Sequence, residues 1–158
     1  MSSISKTDIV SRRDAETQRN PEVLNDISGK IVDAAFRIHS KLGPGLLESV
    51  YETILARDLA KTGLKVERQK PIAIEWDGLR FDEGFRADLI IDDCIVIELK
   101  SVETLAPVHS KQLLTYLRLL NYPLGLLINF GAPLIKDGIK RIANNMPSSA
   151  SLRLCVTQ

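Results

Sequence analysis

Three residues near the middle of the chain have the types and the spacing of a metal-dependent hydrolytic centre. Glu98 and Lys100 end an apolar run, and on a strand their side chains would share a face. Asp88 ends in the same region if the Asp92-Asp93 turn folds its strand back. Two carboxylates offer the hard oxygen ligands that Mg²⁺ and Mn²⁺ prefer, and a lysine beside them can position water or stabilise developing charge. The combination suits cleavage of a phosphodiester bond.

The Glu-x-Lys pattern has a simpler interpretation, which is an ion pair at the end of a strand. A carboxylate and an ammonium at the end of an apolar strand cost free energy unless they are paired or used. The preceding hydrophobic strand and the upstream Asp88 favour a functional site, and the ion pair stays open as the alternative.

Three motifs in series resemble those of a known nuclease superfamily. Asp88 together with Glu98-Leu99-Lys100 resembles the core of the PD-(D/E)XK nucleases. The segment from Gly45 to Tyr51 (GLLESVY) is similar to the signature of that superfamily's GxxExxY group. Gln112 to Tyr116 resembles the Q-xxx-Y helix motif of its RecB-like and lambda-exonuclease-like branches. Ala87 departs from the named motif, which has proline at this position.

The resemblance implies a divalent-metal site and assigns a role to each matching residue. The metal ligands would be Glu48, Asp88, Glu98 and the backbone carbonyl of Leu99. Lys100 would be the catalytic lysine, acting with Asp88 and Glu98. Gln112 and Tyr116 would contact the substrate phosphate or organise the site. Without the resemblance, Glu48 is a first-turn residue stabilised by the helix dipole and the tyrosines are ordinary amphipathic core.

Three further residues are weaker candidates. His39 is a candidate metal ligand because some RecB-like nucleases carry an upstream histidine, although a histidine near a helix end also interacts with the helix dipole. Lys111 and Arg118 are candidate substrate-binding residues, and solvated helix faces explain them equally well.

The apolar periodicity and the turn residues predict the elements that carry these side chains. Helices are predicted at 25–42, 46–61, 107–121 and 136–145, and strands at 64–69, 71–76, 79–81, 85–91, 94–100, 123–130 and 152–156. Gly43-Pro44-Gly45 would end the first helix, and Asp77-Gly78 would form a hairpin turn. Leu47 and Val50 are predicted to lie in the core. The order predicts an α/β fold of the restriction-endonuclease-like type, with a mixed central β-sheet flanked by α-helices.

The length and composition fit one ordinary globular domain. Residues 1–22 are polar and aperiodic and are predicted to form a flexible arm, and 23–158 a single nuclease-like domain. Hydrophobic residues make up 44% of the chain and no apolar run is long enough for a membrane span. Cys94 and Cys155 match no zinc spacing, and no signal-peptide layout is present, so we expect a cytoplasmic protein with reduced thiols.

The predicted function is a nuclease that depends on Mg²⁺ or Mn²⁺ and cleaves nucleic acid, with DNA favoured over RNA. A homodimer or a partner protein would allow it to cut two strands. The net charge of +1 counts against tight nucleic-acid binding by the isolated chain, because phosphate neutralisation supplies most such affinity. Two alternatives are a non-catalytic nucleic-acid-binding or assembly module on the same fold, and an enzyme acting on another phosphate ester.

Overall fold

A computed structural model describes residues 20–144 of the chain. Its helices are α1 (Pro21–Leu42), α2 (Glu48–Lys61), α3 (Pro107–Leu120) and the short α4 (Ile135–Gly138). Its strands are β1 (Val66–Trp76), β2 (Leu79–Ile91), β3 (Ile95–Lys100), β4 (Leu124–Asn129) and β5 (Ile139–Ala143). They form one sheet in sequence order, antiparallel except for the parallel β3–β4 pair that α3 connects. The predicted α/β fold with a mixed central sheet is confirmed. The predicted strand at 152–156 and most of the predicted arm lie outside the described residues.

The sheet separates two hydrophobic layers. On its first face, α1 and α2 pack against alternate residues of β3 and β4, among them Ile95, Ile97 and Leu126. On its second face, α3 places Leu113 and Leu117 against Val96 and Leu127. Because β3 and β4 are buried on both faces, they read as continuous apolar runs in the sequence. Within residues 20–144, no helix is long and apolar enough to cross a membrane.

The first helix begins earlier than predicted, inside the predicted arm. Asn20 is its N-cap, with the side-chain oxygen accepting a hydrogen bond from the Glu22 amide at 2.8 Å, and Pro21 occupies the first turn. Leu24 is fully buried and extends the apolar stripe by one turn. The prediction of an arm through residue 22 was therefore wrong for its last residues. The sequence analysis began the helix after Pro21, whereas the N-cap Asn20 precedes it.

The predicted helix at 136–145 was also wrong. The chain forms only the four-residue α4 there and then β5, which pairs with β4 from Ile139 opposite Ile128 to Ala143 opposite Leu124. Ile139 and Ile142 are three residues apart, a spacing that favours a helix. The open edge of the buried strand β4 requires backbone hydrogen-bond partners, and this tertiary requirement overrides the local pattern.

The loop between α1 and α2 is held by Tyr51. Its fully buried ring stacks on Phe130 with centroids 4.4 Å apart, and its hydroxyl donates to the Gly43 carbonyl at 2.5 Å. The same hydroxyl accepts from the Leu46 amide at 3.2 Å. Leu47, the N-cap residue of α2, and Val50 were predicted to be core, but Leu47 is 73% exposed and Val50 is also exposed. Tyr51 therefore fixes the start of α2, and Leu47 stays on the surface.

The long β1–β2 hairpin changes its pleat at Gln69 and Asp88. Before Gln69, Val66 packs on the first face of the sheet, whereas Ile72 packs on the second although it too is an even-numbered residue. The register places Gln69 opposite Asp88, but that pair is missing from the ladder, and Gln69 has a left-handed φ of 48°. A non-glycine residue held there costs about 1–3 kcal/mol, and such positions cluster at functional sites.

The carboxyl ends of β3 and β4 are fastened together by the side chain of Asn129. Its amide donates to the Val102 carbonyl at 2.9 Å, and its oxygen accepts from the amides of Val102 and Gly131 at 3.0 Å. The backbone at Gly131 lies so close to Val102 that a Cβ would collide with the Val102 backbone. Position 131, just after the end of β4, therefore requires glycine.

Two glycine substitutions should change stability in opposite directions. We expect Gly131→Ala to lower the free energy of unfolding by about 2 kcal/mol or more, because the Val102 backbone would have to move. Gly29→Ala, in the exposed middle of α1 with open space around it, should raise it by about 0.5–1 kcal/mol. Urea denaturation of both variants measures this. Equal stability of the two would contradict the close approach at Gly131.

Candidate active site

The ladder between β2 and β3 stops where two carboxylates face each other. Leu89 and Ile97 form the last pair, and the next residues in register are Asp88 and Glu98. Side chains replace the backbone bonds at this point. The Asp88 amide donates to Glu98 Oε1 at 3.3 Å, and the Leu99 amide donates to Asp88 Oδ2 at 2.9 Å. These reciprocal bonds fix both carboxylates at the point where the strands separate.

Glu98 and Lys100 lie on the second face of the sheet, on the side of α3. Val96 packs on that face, and alternation along β3 places Glu98 and Lys100 on the same side. Lys100 is half-buried at the end of the strand. No ion pair joins it to Glu98 among the residues that the structure describes, so the simpler interpretation of the Glu-x-Lys pattern is not what is found.

The environment of Glu98 strongly opposes its ionisation. The residue is 9% exposed, and burial, followed by the negative charge of Asp88, raises the pKa of Glu98 to about 9. The backbone amide of Asp88 and the charge of Lys100 act in the opposite direction and do not cancel this rise. A cation bound at this pair of carboxylates would stabilise the ionised form of Glu98.

Helix α3 brings an aromatic hydroxyl towards the same point. The half-buried ring of Tyr116 stacks on Phe85 with centroids 4.0 Å apart and planes 5° apart. Burial, followed by the charges of Glu98 and Asp88, raises the pKa of Tyr116, since both carboxylates oppose a negative charge on its hydroxyl. Gln112 is exposed and precedes Tyr116 by one helical turn, so the two side chains share a face.

The comparison with protein families agrees with this geometry. A sequence profile of the PD-(D/E)XK nuclease superfamily matches residues 25–142, which is most of the chain and covers all five strands except the last residue of β5. The chain belongs to the PD-(D/E)XK nuclease superfamily. No curated protein and no solved structure gives a significant match.

PD-(D/E)XK nucleases use divalent metal ions, and the donor set at Asp88 and Glu98 fits such an ion. Two carboxylates meet there, and a cation held by both would offset the burial and the repulsion from Asp88 that together raise the pKa of Glu98. Within 20–144, no group of three or more His, Cys, Asp or Glu side chains is gathered as a ready metal site. Among the described side chains, the pair Asp88 and Glu98 is therefore what the structure brings together.

Glu48 and His39 are not gathered into one metal-binding group with the carboxylate pair among the described residues. Glu48 is the exposed first residue of α2 and lines a surface depression with Leu47 and Ser101, the residue that follows Lys100. His39 is buried at the end of α1, where its Nε2 lies 2.8 Å from the Ala132 carbonyl oxygen. That hydrogen bond engages one ring nitrogen only, and the role of His39 as a metal ligand stays a prediction.

Lys111 and Arg118 occupy the outer side of α3. Both are exposed, and their spacing of seven residues puts them on one helix face. Leu113 and Leu117 face the core from the other side of the helix. The structure therefore keeps the two cations off the carboxylate pair and leaves them on an open surface beside Gln112.

Two polar residues next to Asp88 were missed by the sequence analysis. Glu52 on α2 is 6% exposed, and its Oε2 accepts a hydrogen bond from Gln69 Nε2 at 2.8 Å. The same Gln69 nitrogen lies 3.3 Å from Asp88 Oδ1. For Glu52, the sequence signal was its position directly after the core residue Tyr51 on a helix predicted to be amphipathic. Gln69 gave no sequence signal, because its role depends on a change of pleat that periodicity does not show.

The pKa of Glu98 predicts how stability depends on pH without divalent ions. An unfolded glutamate titrates near pH 4.5, whereas the folded residue titrates near 9. The protonated carboxyl therefore stabilises the fold fully below about pH 4.5, and this contribution is lost as pH rises towards 9. From pH 5 to 8 the wild type should lose about 1–3 kcal/mol relative to Glu98→Gln, which carries no charge to bury.

Denaturant unfolding of both proteins at a series of pH values, with a chelator present, measures this difference. Asp33→Asn, an exposed carboxylate on α1, is the matched control and should follow the wild type. Parallel pH profiles for the wild type and Glu98→Gln would contradict the proposed burial of the Glu98 charge.

Proposed function

We propose that the chain is a nuclease of the GxxExxY group that cleaves phosphodiester bonds of nucleic acid with Mg²⁺ or Mn²⁺. The observation that carries this proposal is the reciprocal bonding of Asp88 and Glu98 at the broken end of the β2–β3 ladder, with Lys100 on the same face, in a chain of the nuclease superfamily. The segment from Gly45 to Tyr51 supports the narrower group, since its tyrosine holds the loop that precedes α2.

Asp88 and Glu98 would hold the metal ion, with the Leu99 carbonyl as a backbone ligand. When bound, the ion supplies positive charge that polarises the scissile phosphate and makes an attacking water more acidic. Asp88 is already oriented by the Leu99 amide, and Glu98 by the Asp88 amide, so neither carboxylate has to be ordered when the ion arrives. His39 stays the weaker candidate ligand, and it would have to ligate through Nδ1, since its Nε2 is engaged by the Ala132 carbonyl.

Lys100 would act on the substrate and not on the fold. Its ammonium has three donors and is not committed to Glu98, so it is available to orient the attacking water or to stabilise charge on the phosphate oxygens. Burial on the face beneath α3 lowers the local dielectric and strengthens that interaction.

The remaining predicted residues would bind the substrate around this centre. Tyr116, within electrostatic range of both carboxylates, and Gln112, one turn before it, would contact the scissile phosphate. Lys111 and Arg118 would meet neighbouring phosphates from the outer face of α3. Glu48 would assist from the depression beside Ser101, through water and not by direct ligation.

The preference for DNA over RNA, the homodimer or partner protein, and the cytoplasmic location stay predictions. The non-catalytic binding or assembly module is the competing function. The near-neutral net charge of +1 favours it, because phosphate neutralisation supplies most of the affinity for nucleic acid. Metal binding without cleavage on DNA and RNA of either strandedness would select this alternative.

The nuclease proposal predicts loss of cleavage when either central residue is removed. We expect Glu98→Ala and Lys100→Ala to cut labelled DNA or RNA at least about a hundredfold more slowly than the wild type in Mn²⁺ or Mg²⁺, and a chelator to abolish wild-type cleavage. Single- and double-stranded forms of each nucleic acid identify the substrate in the same assay.

Lys61→Ala and Asp33→Ala are the matched controls. They remove an exposed lysine on α2 and an exposed carboxylate on α1, and both residues are far from β3 in the sequence. Both should cleave as fast as the wild type. Metal-dependent cleavage that survives in Glu98→Ala and Lys100→Ala, purified in the same way, would rule out the proposed site.

A further inference from the structure

One side chain links helix α2 to the candidate metal ligand Asp88. The Gln69 amide nitrogen lies 2.8 Å from Glu52 Oε2 and 3.3 Å from Asp88 Oδ1. A carboxamide nitrogen carries two N–H donors, so it can serve both carboxylates at once. Asp88 Oδ2 is held separately by the Leu99 amide at 2.9 Å. Each oxygen of Asp88 therefore has its own donor, and the plane of the carboxylate is fixed.

The backbone of Gln69 is arranged to make this contact. Its φ of 48° and its missing pair with Asp88 turn the residue out of the regular pleat of β1. A regular strand would pair the two backbones at this position and leave the Asp88 carboxylate without this donor. At Gln69, the backbone pairing with Asp88 is thus replaced by a side-chain hydrogen bond to the Asp88 carboxylate, a candidate metal ligand.

Glu52 is a firm anchor for the other end of the link. It is 6% exposed, and the Arg68 guanidinium, with Nε 3.4 Å from Glu52 Oε1, offsets its charge. Arg68 is held in turn by Thr53, whose hydroxyl accepts from Nη2 at 2.8 Å. The hydrogen bond from Gln69 consequently ends on a group that packing and charge keep in place.

We propose that Gln69 and Glu52 are positioning residues that preset the Asp88 carboxylate for a divalent cation. The inference rests on the proposed function, because it takes Asp88 as a metal ligand. Neither residue touches the ion or the substrate. They act by holding Asp88 Oδ1, and loss of an outer-shell hydrogen bond of this kind costs about 10–100-fold in metal affinity.

The decisive variant is Gln69→Asn. Asparagine tolerates the left-handed backbone and keeps the amide, but its side chain is one methylene too short to reach both Glu52 and Asp88. Calorimetric titration of the full chain with Mn²⁺, with Glu98→Ala as the background, should show a dissociation constant at least about tenfold higher than that of the wild type. The unfolding midpoint in a chelator should change little, which separates positioning from a structural role.

Substitutions of Glu52 provide the second measurement. Glu52→Ala should weaken Mn²⁺ binding as Gln69→Asn does, and Glu52→Gln should restore much of the affinity, since its amide oxygen can still accept from Gln69. Thr53→Ala removes the outer bond to Arg68 and a bond to the Ser49 carbonyl within α2, and it should keep the Mn²⁺ affinity within about twofold of the wild type.

The outcomes separate this inference from the nuclease itself. Unchanged Mn²⁺ affinity in Gln69→Asn and Glu52→Ala, in a protein that cleaves nucleic acid, would overturn the positioning role and leave the nuclease intact. Affinity that depends on Gln69 in a protein that cleaves nothing would support the positioning role and overturn the nuclease. A wild type that binds no Mn²⁺ above the Glu98→Ala background would overturn both.

Discussion

The site depends on one exchange of hydrogen bonds between β2 and β3. Where the ladder would continue, the Asp88 carboxylate accepts a hydrogen bond from the Leu99 amide, and the Glu98 carboxylate accepts one from the Asp88 amide. Because buried backbone amides need partners, the strands can separate at this point only if side chains replace the ladder. The same exchange that ends the pairing therefore brings two carboxylates together, and the fold and the candidate chemistry share one cause.

This arrangement is costly without a cation, and the surrounding structure is built to sustain it. Glu98 is buried beside a like charge, which raises its pKa to about 9, and Gln69 is held in a left-handed conformation. The rest of the sheet supplies the rigidity that holds these groups, since β3 and β4 are buried on both faces and Asn129 fastens their ends. Stability given up at the site is offset by packing elsewhere, as is common where function needs strained or like-charged groups.

The sequence predicted the parts of this account that depend on local pattern. Alternation along β3 placed Glu98 and Lys100 on one face, and the two aspartate-containing turns returned the strands as expected. The error at 136–145 arose because two isoleucines three residues apart favour a helix until the open edge of β4 is taken into account. Glu52 and Gln69 escaped notice for a related reason, since their meeting depends on a change of pleat that only the assembled sheet reveals.

The central claim is that a divalent cation belongs between Asp88 and Glu98, and locating Mn²⁺ by its anomalous scattering in crystals of the wild type tests it most directly. The account predicts a single strong peak within about 2.4 Å of an oxygen of each carboxylate, with the Leu99 carbonyl and water completing the coordination. A peak elsewhere, or none at saturating Mn²⁺ with both carboxylates ordered as they are here, would contradict it.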